Sequence, residues 1–252
     1  MSARLVIAAL AALALAGSAS AGSVEQGKQL YGEYCVACHG ANGQGIASSR
    51  AGFGPGRHET VQHGMGPSLQ GVGALAADFY LRTGYMPLQQ VGLEPRRSRV
   101  ILSDAEIRAL VAYVASLRHG PPVPEPQPAR GSLSKGLKLF TDHCAGCHQV
   151  VAEGGYLTGG VAPPLDRATA TQIAEAIRIG PYVMPRFSPR QLSPADVDSI
   201  ARYVEYAKHP DDRGGWSIGH LGPVPEGMVT WFLAASVLVA VCVLLGKRLG
   251  DE

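Results

Sequence analysis

The stretch EYCVACHG, residues 33–40, sets Cys35 and Cys38 three apart with His39 directly behind them, and DHCAGCHQ, residues 142–149, repeats the pattern with Cys144, Cys147 and His148. Two thiols at that spacing followed by an imidazole fit three kinds of chemistry: half of a structural zinc site, a redox dithiol, or an attachment site for haem c. Zinc needs four ligands from two motif halves, which uses the four cysteines and leaves both histidines idle. A thioredoxin-like dithiol wants a βαβ context, and none is visible around either motif. Haem attachment uses every residue, because each cysteine forms a thioether and the histidine lies beneath the iron as its proximal ligand. With five Cys and eight His in 252 residues, chance produces C-x-x-C-H about 0.003 times. A pair of such motifs therefore favours two covalently attached haem c groups.

An iron held by one histidine needs a sixth ligand, and a methionine thioether raises the reduction potential in a way that suits electron transfer. Met86 and Met184 are each followed by proline, Pro87 and Pro185, at matching places behind the two motifs. A methionine in an apolar neighbourhood is usually core filler, but the coincidence in both copies makes these two the expected iron ligands. Met65, in HGMGPSL, has no counterpart in the second copy, and Met228 begins a long apolar run. His58 and His63 fall in a Gly-rich insertion, residues 41–66, and read as solvated loop residues, as His119, His143, His209 and His220 read as surface. Cys242 lies inside the apolar run and reads as a small apolar filler.

The elements that must position these groups also come in two copies. GKQLYGEYC, residues 27–35, and GLKLFTDHC, residues 136–144, place Gly27, Leu30 and Tyr31 against Gly136, Leu139 and Phe140. Behind each motif follow a Pro-x-Leu, Pro67 to Leu69 and Pro163 to Leu165, then the Met-Pro, then a helical pattern. The two terminal helices start at residues 102 and 192. Ser103 with Glu106 predicts a capping box, and Ser193 predicts a cap with Pro194 at the first helical position. Ile107, Leu110, Val111 and Val114 recur at helical spacing, as do Val197, Ile200, Ala201 and Val204. Five prolines in residues 119–131 predict an extended, semi-rigid spacer. The expected architecture is mainly α. It has a signal segment at 1–21, a first domain at 22–118, a linker at 119–130, a second domain at 131–209, a Gly/Pro-rich connector at 210–227, a transmembrane helix at 228–246 and a tail at 247–252. Domains of this size bury little surface and usually need a cofactor or staple.

The two ends are apolar in different ways. Residues 1–21 carry Arg4, a short apolar run and SASA, the pattern of a cleaved secretory signal. Residues 228–246 contain no charge, and nineteen residues at 1.5 Å rise cover roughly 28 Å, close to a hydrocarbon core. Lys247 and Arg248 follow at once, which marks the cytoplasmic side and puts the body of the chain outside. The net charge of +2 is spread without a basic stripe, which argues against nucleic acid as a partner.

Each half resembles a class I cytochrome c domain, from the glycine–aromatic helix through C-x-x-C-H, Pro-x-Leu and Met-Pro to the Tyr-Val helix, over residues 22–209. In that family the proline carbonyl supports the proximal imidazole, a role that falls here to Pro67 and Pro163. With the span and the lead-in GGWSIGHLGPVPEGMVTW, residues 214–231, the whole resembles the family of dihaem cytochrome c subunits of actinobacterial menaquinol–cytochrome c reductases. The resemblance implies electron transfer from a Rieske iron–sulfur subunit, beside a cytochrome b subunit, to a haem–copper oxidase, with no bond-making site in this chain. The alternatives are a dihaem subunit of a membrane-bound dehydrogenase or another oxidase, a dihaem peroxidase, and a zinc-binding structural protein.

Overall fold

The computed structural model describes residues 23–46, 66–88, 97–209 and 223–250. The signal segment, most of the 41–66 insertion with His58, His63 and Met65, and most of the connector with His220 lie outside the described residues. In chain order the elements are α1 (residues 23–34), α2 (Val36–His39), α3 (Gly73–Arg82), α4 (Asp104–Leu117), α5 (Leu133–His143), α6 (Ala145–His148), the strands β1 (Gly155–Leu157) and β2 (Gly160–Ala162), α7 (Ala170–Ile179), α8 (Pro194–Lys208) and α9 (Pro223–Gly250). The protein is mainly helical, and the one small sheet among the described residues is the antiparallel β1–β2 hairpin.

The chain forms two compact units, one from residues up to Pro126 together with Thr171–Leu192, the other from Gln127–Ala170 together with Ser193 onward. α7 from Thr171 onward and the Met184 segment thus fall in the first unit.

In the first unit α1 meets α4. A methyl group built on Gly27 would stand 2.0 Å from the Ala109 carbonyl oxygen, so only glycine lets the two backbones approach this closely. One turn on, the Tyr31 and Tyr113 rings pack at 5.1 Å and 53°. They join Leu81, Leu102, Ile107, Leu110 and Val114 in a buried cluster. The predicted capping box forms. The Ser103 N–H donates to Glu106 Oε2 at 2.7 Å, and the Glu106 N–H returns to Ser103 Oγ at 3.4 Å. The start of the proline-rich spacer is fastened to this unit, because the Leu75 N–H donates to the Pro121 carbonyl at 3.1 Å.

The second unit repeats the plan. A methyl on Gly136 would lie 2.0 Å from the Ser199 carbonyl oxygen, and Phe140 packs on Tyr203 at 5.2 Å and 51°. At the start of α8, Ser193 and Asp196 cap reciprocally, at 2.9 Å and 3.3 Å, with Pro194 at the first position. The spacer ends on this unit, where the Gln127 N–H donates to Asp198 Oδ1 at 2.6 Å. α9 is an exposed apolar helix, long and apolar enough over Gly227–Arg248 to cross a membrane.

Candidate haem centres

Each C-x-x-C-H motif folds as one helical turn directly behind a longer helix. The Cys35 N–H donates to the Tyr31 carbonyl at 2.9 Å, and the His39 N–H donates to the Cys35 carbonyl at 2.9 Å. In the second copy the Cys144 N–H reaches Phe140 at 2.8 Å, and the His148 N–H reaches Cys144 at 2.9 Å. Residues three apart on a turn are neighbours on one side, so the two sulfurs of each motif can reach one flat group while the histidine follows beside them.

The histidine rings are oriented by carbonyls distant in sequence. His39 Nδ1 donates to the Pro67 carbonyl at 2.7 Å, and His148 Nδ1 donates to the Pro163 carbonyl at 3.0 Å. A carbonyl can only accept, so the proton sits on Nδ1 and the Nε2 lone pair is left for a metal. Burial pulls the His148 pKa down, against the opposing pull of the Pro163 carbonyl, and favours the neutral ligating form. Burial, and secondarily Cys38, pushes the Cys35 thiol up to about 11; burial and Cys147 push Cys144 up to about 12. Reactive dithiols and zinc thiolates need the opposite shift. Among the described residues no three His, Cys, Asp or Glu side chains cluster as a metal site. The donor set therefore fits haem c: two neutral thiols per turn and one imidazole per turn with its outer nitrogen free.

Several supporting residues were not singled out by the sequence reading. The Gly66 N–H donates to the Cys38 carbonyl at 2.8 Å, and a methyl on Gly66 would lie 2.8 Å from His39 Nδ1. Gly45 and Gly154 each stand six residues behind a histidine with φ of +80° and +77°, and their N–H groups donate to the His39 and His148 carbonyls at 2.8 and 3.0 Å. The matching spacing was the available signal. The residue after each histidine is also left-handed, glycine in one copy (Gly40, φ 76°, ψ 161°) and glutamine in the other (Gln149, φ 57°, ψ 163°).

The structure places the expected methionines as follows. Met86 is half-buried and packs on the same core cluster as Cys35 and Val36. Its N–H donates to the Tyr80 carbonyl at 3.0 Å. Met184 is half-buried, and its N–H donates to the Pro181 carbonyl at 3.0 Å. Met228 and Cys242 are exposed on α9.

Two helical units, each with a crossing at glycine and a C-x-x-C-H turn whose histidine is tied to a proline carbonyl, define a c-type cytochrome of two domains. Family models agree: residues 24–118 match Cytochrome c, and residues 131–204 match Cytochrome C oxidase, cbb3-type, subunit III. The chain is 35% identical to the cytochrome bc1 complex cytochrome c subunit of Corynebacterium diphtheriae, over 89% of this chain and 80% of the other. It is 37% identical to the protein of the same description from Mycobacterium tuberculosis, over 88% and 77%. A more distant relative is the cbb3-type cytochrome c oxidase subunit CcoP of Azospirillum sp., 30% identical over 71% of this chain and 60% of that one. The chain belongs to the family of cytochrome bc1 complex cytochrome c subunits, electron-transport proteins built on haem c, and carries one apolar helix of membrane-spanning length.

Proposed function

We propose that the chain holds two covalent haem c groups and passes single electrons from the Rieske centre of a menaquinol-oxidising complex to a haem–copper oxidase. Cys35 and Cys38 hold the first group and Cys144 and Cys147 the second. His39 and His148 are the proximal iron ligands, positioned by Pro67 and Pro163. Met86 and Met184, matched in the repeat, are the sixth ligands. Bound haem c supplies a one-electron ferrous–ferric couple. The residues of this chain would attach it through the cysteines and orient the imidazoles through the proline carbonyls. No residue here is asked to make or break a bond in a substrate.

The observation that carries this reading is the resemblance to the bc1 complex subunits over 88–89% of the chain. Cytochrome b and the Rieske protein are then its neighbours. Lys247 and Arg248 at the end of α9 support an orientation with the haem units on the extracytoplasmic face and the C-terminus in the cytoplasm. The cbb3 subunit III match over 131–204 favours a second reading, a dihaem subunit of an oxidase itself.

Purification in mild detergent through a C-terminal tag separates the two. Co-purified cytochrome b and Rieske protein with an oxidase support the proposal, whereas an oxidase catalytic subunit without cytochrome b supports the second reading. A flavoprotein or quinoprotein dehydrogenase in their place overturns both.

A further inference from the structure

Glu175 plays no part in the haem centres, yet it is the most deeply buried charged side chain among the described residues. It lies on α7 in the first compact unit at 0% exposure, and neither carboxyl oxygen has a hydrogen-bond partner. Beside it stands Asp78 of α3, 6% exposed. Asp78 is already paired, because Arg82 Nε donates to both its oxygens, at 2.8 and 2.9 Å. The other arm of Arg82 donates to Asp104 at the start of α4 at 2.5 Å, and Asp104 also pairs with Arg108. Two further arginines among the described residues, one of them on α7 itself, have partners of their own. Arg97 donates to the Gln172 amide at 3.5 Å, and Arg178 donates to the Phe187 carbonyl at 3.2 Å.

An ionised Glu175 would be a second negative charge against Asp78, sealed from water and without a cation of its own, an arrangement proteins avoid by keeping the group protonated. Burial first, and the Asp78 charge second, push its pKa up to about 8, with Arg82 pulling weakly the other way. A protonated Glu175 has the one donor that the pair lacks.

We propose that Asp78 and Glu175 form a proton-binding site, in which one proton taken from solvent is shared between the two carboxyls and fastens α7 to α3. The Phe187 N–H donates to the Ile177 carbonyl at 2.9 Å, so α7 carries the following segment, residues 180–187, with it. The sign of the linkage follows from the raised value. Below about pH 4.5 the carboxyl is protonated whether α7 is docked or open, and the contact is at full strength. Between there and about pH 8 only the docked form keeps the proton, so each pH unit favours opening by up to about tenfold. Above about pH 8 both forms are ionised and the dependence ends.

Hydrogen exchange on the full-length holoprotein in detergent, read on peptides covering residues 170–179 and corrected for intrinsic rates, tests this. Wild type should open by up to about tenfold per pH unit between pH 5 and 8 and level off above. Glu175→Gln, always neutral, should be flat throughout. Asp78→Asn should move the transition to lower pH, because Arg82 is then released to stabilise an ionised Glu175. The infrared carbonyl band of a protonated carboxylic acid should vanish near pH 8 in wild type and be missing from Glu175→Gln. A flat wild-type profile overturns the proposal, as does a Glu175→Gln profile with the wild-type slope. If Glu175→Gln does not fold, the decision passes to wild type and Asp78→Asn. No carboxylic-acid band persisting above the ordinary carboxylate range, or an unshifted Asp78→Asn transition, overturns it equally.

Discussion

The hydroxyl of Tyr31 donates to the backbone carbonyl of Gly40, the residue directly behind His39, at 2.7 Å. In the second unit the corresponding bond comes from the opposite end of the repeat, where the Tyr203 hydroxyl donates to the Val150 carbonyl at 2.6 Å. The helix crossing supplies two aromatics packed at a tilt in each unit. Tyr31 carries the tether in one copy, while its counterpart Phe140 has no hydroxyl and Tyr203 takes over. Tyr31→Phe should therefore keep the ring packing, as Phe140 does, and lose about 1–2 kcal/mol from an unsatisfied carbonyl. Tyr203→Phe should do the same to the second unit. Chemical denaturation followed at the haem absorbance checks both, and an unchanged midpoint in either variant would show that water replaces the bond without loss.

Gln149 sits in a backbone region that is essentially glycine's own, and holding a side chain there costs on the order of 1–3 kcal/mol. The first unit avoids the cost with Gly40. Gln149→Gly should raise the thermal midpoint of the second unit, with a net gain of about 1 kcal/mol after the added flexibility of the unfolded glycine is set against it. Calorimetry of the holoprotein reads this directly. A lower midpoint would mean that the Gln149 side chain makes contacts worth more than the strain.

Asp196 links the α8 cap to Lys135, whose Nζ lies 2.6 Å from Oδ1. Lys135 first, then Ser193, hold its carboxyl down to about 2. A depressed value means that the contribution is complete above about pH 4 and disappears as the pH falls toward 2. Asp196→Asn should flatten that part of the acid-unfolding curve. Ser193→Ala should cost about 1 kcal/mol at neutral pH, and circular dichroism during acid titration follows both.

With Met86 and Met184 as the proposed sixth ligands, replacing either by histidine should lower one reduction potential, because imidazole donates more strongly and stabilises ferric iron. The expected drop is on the order of 100 mV, about 2.3 kcal/mol in a one-electron couple, with the other centre nearly unchanged. Redox titration gives the potentials. The near-infrared ferric band of a methionine–iron bond should fall by half in each variant. If Met65→Leu halves that band and Met86→Leu leaves it intact, the first centre takes its ligand from the 41–66 insertion instead.

What could be read without a structure was whatever the chain encodes within one turn or one repeat. Cys35, Cys38 and His39 are chemically complete as a local motif, and their recurrence at Cys144, Cys147 and His148 made the duplication visible. Caps at Ser103 and Ser193 are local hydrogen-bond patterns, so type and spacing sufficed, and an uncharged run of nineteen residues needs no tertiary context to be recognised as a span. The β1–β2 hairpin, with Tyr156 almost wholly exposed at its middle, carries no such local pattern and was not foreseen. Neither were α3 and α7, whose apolar faces are short and mixed. Gly27 and Gly136 were seen as matching letters, but their reason, a backbone carbonyl 2.0 Å from where a methyl would stand, exists only once two helices cross. Glu175 is the clearest case. Nothing in ATQIAEAIRIG marks it, and only the tertiary structure buries it completely beside Asp78. Charge and pKa are properties of surroundings, and the surroundings are assembled from residues nearly a hundred positions apart.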